Sequence, residues 1–395
     1  MSVSSVPPMN PTGPLIPADE TFCHQIPQTF AIVGSSDPSW TEKVCAMAAA
    51  VDGSIQLGFG LGKYTNRNVM DGYAAVSRGV EQTTVRASRA LAPTPELTVI
   101  GPIRYEIVEP LHAVRFVLEP NDCQPIAFDW TFESIVPPVL EERHNSIDQY
   151  RVSADLLRYH QSGLASGWVE VDGERTEITP DTWVSTRDHS WGVRYDVGTP
   201  PTDLAPTFDL STSSDVSFRM IWCPVVMQRP DGTRYALHLH YQIITAPGFL
   251  RKTVIGSVEH PDGTVEQITD LEPDLAFHPD NRRLRGGTVR ATLADGSTRD
   301  LTIEVVSDTG VQLGAGLYFG LDGHHHGEWR GELHIDGERI ADCSTAEAAR
   351  RLHQIRDTVV HVVDPVGGGE GWGNCQPIIT GGDPALGLDG ATSFM

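Results

Sequence analysis

Hydrophobic and polar residues alternate along much of the chain. The pattern is clearest over residues 126–133 and 235–243, where aromatic or aliphatic residues occupy every second position. Period-two alternation predicts strands that bury one face and expose the other. Asp-Gly dipeptides favour the positive φ angles of tight hairpins, so a chain rich in them is predicted to be all-β and antiparallel. Nine such dipeptides begin at Asp52, Asp71, Asp172, Asp231, Asp262, Asp295, Asp322, Asp336 and Asp389.

Helical patterns are scarce. A capping box begins at Ser344 with Glu347 three residues on, and apolar residues follow at helical spacing. A second short helix is predicted near residues 40–50, where Asp37 or Ser39 could cap it. Two short helices in 395 residues leave the all-β prediction in place.

The length and an internal repeat predict two domains. A chain of 395 residues exceeds the usual size of one domain. Residues 160–175 align without a gap with residues 324–339, sharing the pattern H-x-x-G-x-x-x-G and ending in D-G-E-R. Each copy is interpreted as a hairpin, and the Pro-rich loop over residues 198–206 is the predicted boundary. The predicted units are a flexible arm over residues 1–20 and β domains over residues 21–200 and 201–395.

Composition argues against several classes of partner. The net charge of −23 disfavours nucleic-acid phosphates and anionic membrane surfaces. No apolar run approaches the roughly 18–20 residues that a membrane span needs. The six cysteines form no C-x-x-C pair, so a zinc cluster is not expected. The N-terminus lacks a basic segment followed by an apolar run, and we expect a soluble cytoplasmic protein with free thiols.

The stretch over residues 186–194 concentrates groups that could form a site. Asp188 and His189 could act as an acid/base pair, because neighbouring groups in a partly dry site shift each other's pKa values. Adjacent residues on a strand point to opposite faces, whereas Arg187, His189 and Trp191 share one face. An imidazole beside an indole suits protonation of an alkene or alcohol and shielding of the resulting cation. The alternative is a structural corner, with Arg187 and Asp188 as a buried ion pair.

Two further strands carry candidate site residues. Phe218 and Trp222 share a face, which could line an apolar cavity or belong to a core. His238 and His240 share a face of the next strand and could line a polar cavity wall or hold a metal, the alternative being a solvated face. The run His324–His326 could also hold a metal. Consecutive histidines splay on a strand, however, and no carboxylate or cysteine has ligand spacing, so no metal site is predicted.

Four motifs occur in an order that resembles the carotenoid 1,2-hydratase and AttH-like superfamily, with tocopherol cyclase and lipocalin-type Diels–Alderases as distant relatives. They are W-T-E at Trp40, Y-x-x-x-E-P over Tyr105–Pro110, R-D-H-S-W-G-x-R over Arg187–Arg194 and H-G-x-W-x-G-E over His326–Glu332. The resemblance implies two tandem lipocalin-like antiparallel β-barrels around an apolar pocket. It also implies chemistry without a cofactor on isoprenoid or polyketide substrates.

The resemblance assigns roles to particular residues. In carotenoid hydratases a His-x-Trp pair, matched here by His189 and Trp191, contributes to protonating a double bond and stabilising the cation. An aspartate further along the chain completes the acid in those enzymes. No motif places that aspartate here, and Asp188 is the substitute candidate.

Together these observations predict a cofactor-independent hydratase, dehydratase, isomerase or cyclase that acts on a small hydrophobic substrate, a terpenoid alcohol or alkene. Asp188 or His189 would move the proton, and a dry pocket would strengthen the electrostatic interactions. The predicted substrate-binding residues are Arg187, Trp191, Tyr105, Phe218, Trp222 and His240. Two alternatives stay open: a lipocalin-type carrier of a steroid or other lipid, and a metal-dependent enzyme that uses His238 and His240 or the histidine run.

Overall fold

The computed structural model describes residues 15–148, 150–203 and 216–393. Within these residues antiparallel strands dominate, and the α-helical structure is the short helix α1 (Ala346–Arg351). Residues 1–14 of the predicted arm and residues 204–206 of the predicted boundary loop lie outside the described part of the chain. Short 3-10 segments span Pro17–Glu20, Thr65–Arg67, Leu313–Gly316, Pro384–Leu386 and Gly390–Thr392.

The strands are numbered in chain order. They are β1 (Trp40–Ala50), β2 (Gln56–Tyr64), β3 (Val69–Arg78), β4 (Glu81–Ala90), β5 (Val99–Ile100), β6 (Ile103–Glu109), β7 (Ala113–Leu118), β8 (Ile126–Ser134), β9 (Val139–Leu140), β10 (His144–Asp148), β11 (Arg151–Val171), β12 (Glu174–Ile178), β13 (Trp183–Val193), β14 (Ser217–Gln228), β15 (Arg234–Ala246), β16 (Phe249–Glu259), β17 (Val265–Phe277), β18 (Leu284–Leu293), β19 (Thr298–Gln312), β20 (Leu333–Ile340), β21 (Arg356–Asp364) and β22 (Gly369–Thr380).

Two antiparallel sheets account for the fold. The first runs in the order β20-β4-β3-β2-β1-β13-β11-β8-β7-β6-β5, and the short strands β9, β10 and β12 also pair with β11. The second is a closed barrel in the order β14-β15-β16-β17-β18-β19-β21-β22, whose last strand pairs with its first. The predicted fold class, two tandem lipocalin-like antiparallel barrels with few short helices, is confirmed.

The Asp-Gly steps support this architecture only in part. Six of their nine glycines have positive φ, as tight hairpins require. Asp71 and Asp336 instead lie inside β3 and β20, so the turns predicted there are wrong. The second copy of the repeat therefore continues as one strand, where the first forms the β11–β12 hairpin. Because β20 pairs with β4, the first sheet includes a strand from beyond residue 200, and the division into two domains stays a prediction.

The predicted helix near residues 40–50 is wrong, because this segment is strand β1. Val44, Ala46 and Ala48 pack into the core of the first sheet, while Met47 packs against the second barrel. A strand buried on both faces is a continuous apolar run without alternation, and such a run cannot be told from a buried helix by pattern alone. The predicted C-terminal helix is present, but the capping box predicted at Ser344 is wrong, because Thr345 is the capping residue and accepts from the backbone N–H of Ala348.

An apolar cluster between the two sheets joins them. Met47 and Tyr73 of the first sheet pack there against Val311, Leu313 and Ile378 from the C-terminal half. Burying a large apolar side chain contributes about 1.5–3 kcal/mol, so this contact holds the sheets together firmly. None of the helices in the described residues is long and apolar enough to cross a membrane.

Candidate active site

Strand β13 carries the motif over residues 186–194 and is paired on both sides, with β1 and with β11. Its registers are continuous, so neighbouring side chains alternate between two faces. Gly192 permits the close approach of β11, because a Cβ there would lie 2.3 Å from the carbonyl oxygen of Asp155. We call the two faces of β13 the core face, with Arg187, His189 and Trp191, and the cavity face, with Thr186 and Asp188.

Arg187 occupies the interior of the first sheet and is only 2% exposed. Its guanidinium donates to Oε1 of Gln161 and, at 3.3 Å, to the hydroxyl of Tyr159. It also lies 5.3 Å from the ring centroids of Phe132 and Tyr159, within range of a cation–π contact. Tyr105 lies in the same interior, where burial raises its pKa to about 12. Arg187 and Tyr105, two of the predicted substrate-binding residues, are thus enclosed by protein side chains.

His189 lies at the more open end of the core face, with 22% of its side chain exposed. Its Nε2 atom is 3.0 Å from Oε1 of Glu42, and its Nδ1 atom is 3.2 Å from the hydroxyl of Tyr159. Trp191 makes an edge contact with it, at 5.8 Å between ring centroids. The histidine–tryptophan pair that the resemblance singled out is therefore formed, but on the opposite face of β13 from Asp188.

The cavity face of β13 opens onto a cavity of about 140 Å³ between the two sheets. Of the predicted site residues, Asp188, Trp222 and His240 line it. Phe218 lies two strand positions beyond the lining residue Met220 and packs in the neighbouring apolar cluster. The other lining residues include Arg194, the last residue of the motif, together with Glu141, Arg158, Tyr318 and Asp357, which no motif contained.

Two carboxyl groups, those of Asp357 and Asp188, line this cavity. Asp357 stands near the start of β21, is 1% exposed, and accepts hydrogen bonds at 2.8 Å on both oxygens from the amide of Asn374. Thr186 of β13 donates in turn to that amide's oxygen at 2.5 Å. Burial raises the pKa of Asp357 to about 7; the Asn374 bonds oppose the rise, and the charge of Asp188 adds to it. A carboxyl group that holds a proton near neutral pH is a competent general acid.

Asp188 is the second carboxyl of the pair. Burial raises its pKa, while the cations Arg158 and Arg194 oppose that rise. The buried Arg187–Asp188 ion pair of the structural alternative is not formed, because the two side chains point to opposite faces of β13. Arg158 and Arg194, which line the same cavity, instead stabilise the ionised form of Asp188.

One end of the cavity adjoins a buried network of charged and neutral groups. Arg158 donates to Oε2 of Glu141 at 2.6 Å, and His160 lies 3.0 Å from Oε1 of Glu141 and 2.8 Å from Glu259. Burial alone would lower the pKa of His160, but these two carboxylates raise it to about 9. Burial lowers the pKa of His240 to about 3, so this imidazole is neutral.

Burial also lowers the pKa of His238, whose ring stacks on that of His160 at 3.6 Å between centroids. A neutral imidazole thus lies beside a protonated one. The solvated face considered for His238 and His240 is wrong, because both residues are at most 2% exposed.

The run His324–His326 does not converge on one point. His324 lies 3.0 Å from Glu328, whereas His326 is buried and accepts at Nε2 from the Lys43 ammonium at 2.9 Å. Burial lowers the pKa of Lys43 to about 8, and its ammonium lies 3.9 Å from the ring centroid of Tyr318. His326 therefore joins β1 to the loop that supplies Tyr318 to the cavity wall.

Comparisons with known proteins place the chain in a family. A model of a family of unknown function, DUF8625, matches residues 15–387. The chain belongs to this family. No curated protein matches it.

Several solved structures resemble the fold. A protein described as AttH from Nitrosomonas europaea has 12% identity and a TM-score of 0.47, over 86% of this chain and 92% of its own. Kievitone hydratase from Nectria haematococca has 12% identity and a TM-score of 0.39, over 89% and 93%. CghA, solved with Sch210972, has 11% identity and a TM-score of 0.45, over 86% and 88%. The chain is similar to these AttH-like and hydratase structures, as the motifs predict; at 11–12% identity this likeness assigns neither a superfamily nor an activity to this DUF8625 member.

Sequence reasoning missed Asp357, the buried partner of Asp188. Its only local signal is a carboxylate that directly precedes the valine-rich segment over residues 358–363. A buried acid in such a strand is costly unless it has a partner, and the partner here, Asn374, comes from the next strand, β22. The pairing between strands, and not a spacing along the chain, creates this part of the site.

Proposed function

We propose that this DUF8625 member is an acid/base enzyme of the hydratase, dehydratase, isomerase or cyclase type, in which carboxyl groups of the protein transfer the protons to and from a hydrophobic alcohol or alkene in the cavity between the two sheets. The observation that carries the proposal is the pair of carboxyl groups, Asp188 and Asp357, which line one cavity and interact electrostatically. One of them holds a proton near neutral pH. Such reactions need a general acid that donates a proton and a general base that accepts one at the same site.

In the hydration direction, Asp357 donates its proton to one carbon of the double bond, whose π electrons form the new C–H bond. The other carbon becomes cationic, and the oxygen of a water molecule bonds to it. Asp188 accepts the proton that this water loses. Dehydration is the reverse, and isomerisation or cyclisation follows when Asp188 removes a carbon-bound proton or an internal alkene attacks in place of water.

The aromatic wall suits a cationic intermediate. The cavity is lined by the Trp222 indole and the Tyr318 ring, and the face of such a ring attracts positive charge. The indole N–H of Trp222 is buried and has no hydrogen-bond partner within the described residues. A non-catalytic lipid carrier would need neither buried carboxyl group.

The size of the cavity limits what can react there. Its volume of about 140 Å³ is close to that of an engineered cavity of about 150 Å³ that holds benzene. The reacting end of the substrate is therefore about one ring in size. Glu142 and Tyr195 line the cavity and are exposed to solvent. The part of a larger terpenoid that does not fit the cavity would therefore extend between these two residues to the surface.

The proposal is tested by incubating the protein with a panel of terpenoid alcohols and alkenes and identifying products by mass spectrometry. Asp357→Asn preserves the size and an acceptor for Asn374 but cannot supply the proton, so turnover should fall by roughly 10²–10⁴-fold. Ligand binding, followed by thermal shift, should persist. Asp300→Asn, which changes an exposed carboxylate on the second barrel, is the matched control and should react as the unaltered protein does.

Two results would overturn this function. Turnover by a folded Asp357→Asn protein at the unaltered rate would remove the acid from the mechanism. Release of a tightly bound, unchanged lipid, with no product from any member of the panel, would favour the lipocalin-type carrier instead.

A further inference from the structure

Three side chains of types that bind metal ions, those of Glu141, His238 and His240, lie close together beside the cavity. The donor atoms of Glu141, His238 and His240 all lie within 4.8 Å of one another, and all three residues are buried. Nε2 of His238 is 3.6 Å from Oε1 of Glu141, and Nδ1 of His240 is 4.0 Å from its Oε2. Donor atoms around a tetrahedral zinc ion are about 3.4 Å apart when each bond is near 2.1 Å, so small side-chain rotations would suffice.

The histidines also lack the contacts that buried imidazoles normally make. Neither ring nitrogen of His238, nor Nδ1 of His240, has a hydrogen-bond partner within the described residues. Both residues are at most 2% exposed. Buried polar atoms without partners are costly, and an ion bound between them is one of the few ways to satisfy them.

We propose that Glu141, His238 and His240 form a binding site for a divalent cation of the zinc class. Two imidazoles and one carboxylate are a ligand set found for zinc in sites that leave one position open. Glu141 and His240 line the cavity, so the open position would face it and could take an oxygen atom of the ligand.

The surrounding residues set how the cation would bind. Arg158 holds Oε2 of Glu141 with two hydrogen bonds, at 2.9 and 2.6 Å, so the cation would bind through Oε1. Oε1 lies 3.0 Å from His160, and a carboxylate oxygen has a second lone pair for the metal. His160 in turn is fixed by Glu259 at 2.8 Å, an outer partner of the kind that orients metal ligands.

The experiment measures Zn²⁺ binding by calorimetry on full-length protein treated with a chelator, without any substrate. One ion per chain is expected. His238→Gln and His240→Gln should each weaken binding by roughly 100-fold or more, because loss of even an outer partner costs 10–100-fold. The matched control is His361→Gln in β21. His361 also lies beside two carboxylates, 3.0 Å from Glu370 and 3.7 Å from Glu304, but outside this group, so its loss should leave the affinity unchanged.

A second readout covers the case in which a buried variant does not fold. Co²⁺ bound to the unaltered protein should give the intense visible absorption of a four- or five-coordinate site, and Zn²⁺ should displace it. Either the absence of stoichiometric Zn²⁺ binding, or a Co²⁺ spectrum like that of the hydrated ion, would overturn the site. So would equal affinities for the His240→Gln and His361→Gln proteins. Because no substrate is present, these outcomes are independent of the proposed acid/base function.

Discussion

The two faces of β13 carry polar residues that are neighbours in the sequence but have different surroundings. On the core face, Arg187 has aromatic rings and neutral hydrogen-bond partners around it, and its bonds tie β13 to β11. On the cavity face, Asp188 borders open volume and interacts with charges from both sheets. Two adjacent residues of one motif thus meet different surroundings. One dense motif can place one residue inside a sheet and its neighbour at the wall of a cavity.

The largest expected effect on stability is on the core face. Arg187→Met would leave the acceptor of Gln161 and the hydroxyl of Tyr159 without their buried partner, and should lower the free energy of unfolding by roughly 2–4 kcal/mol. Urea denaturation measures this loss. Turnover per folded molecule should stay within about threefold of the unaltered rate. A variant of full stability that has lost turnover would place Arg187 in the chemistry and end the distinction between the faces.

Asp357, the carboxyl group of β21 that lines the same cavity as Asp188, should show a stability effect of the opposite sign. Asp357 has a pKa of about 7 in the folded protein against an ordinary value of 3.8, so the folded state keeps a proton that the unfolded chain releases. Its contribution to stability is complete below about pH 4 and is lost as the pH rises through 7. At pH 8, Asp357→Asn should therefore be more stable than the unaltered protein by roughly 1–4 kcal/mol.

Denaturation curves for both proteins between pH 4 and 8 measure this difference. The gap between them should widen with rising pH and level off above about pH 7. A gap that does not change with pH would mean that Asp357 ionises normally in the folded protein, and the proposed acid would lose its basis.

The smallest effect is expected at His189. Its contact with Glu42, whose side chain is 50% exposed, is a surface pair, and such pairs contribute about 0–1 kcal/mol. His189→Gln should therefore change the free energy of unfolding by less than about 1 kcal/mol. A larger loss would show that this pair, and not Arg187, organises the core face.

The sequence predicts the fold better than it predicts the site. Period-two alternation and Asp-Gly steps lead to antiparallel barrels. They fail where a strand is buried on both faces, as in β1, and where an Asp-Gly step lies inside a strand, as at Asp71 and Asp336. The motif leads to Asp188, and alternation separates it from His189. No local pattern says which face of β13 meets the second barrel, because that depends on how the two sheets pack. For the same reason Asp357, about 170 residues from Asp188 along the chain, is found only in three dimensions.

Neighbouring substitutions on β13 test the central claim, that proton transfer takes place on the cavity face, most directly. The measurement is kcat/KM for Asp188→Asn beside that for His189→Gln, on the substrate that the panel identifies, with both proteins shown to be folded. We expect Asp188→Asn to lose roughly 10²-fold or more and His189→Gln to stay within about threefold. The reverse order, with His189→Gln inactive and Asp188→Asn active, would contradict the account and move the chemistry to the core face.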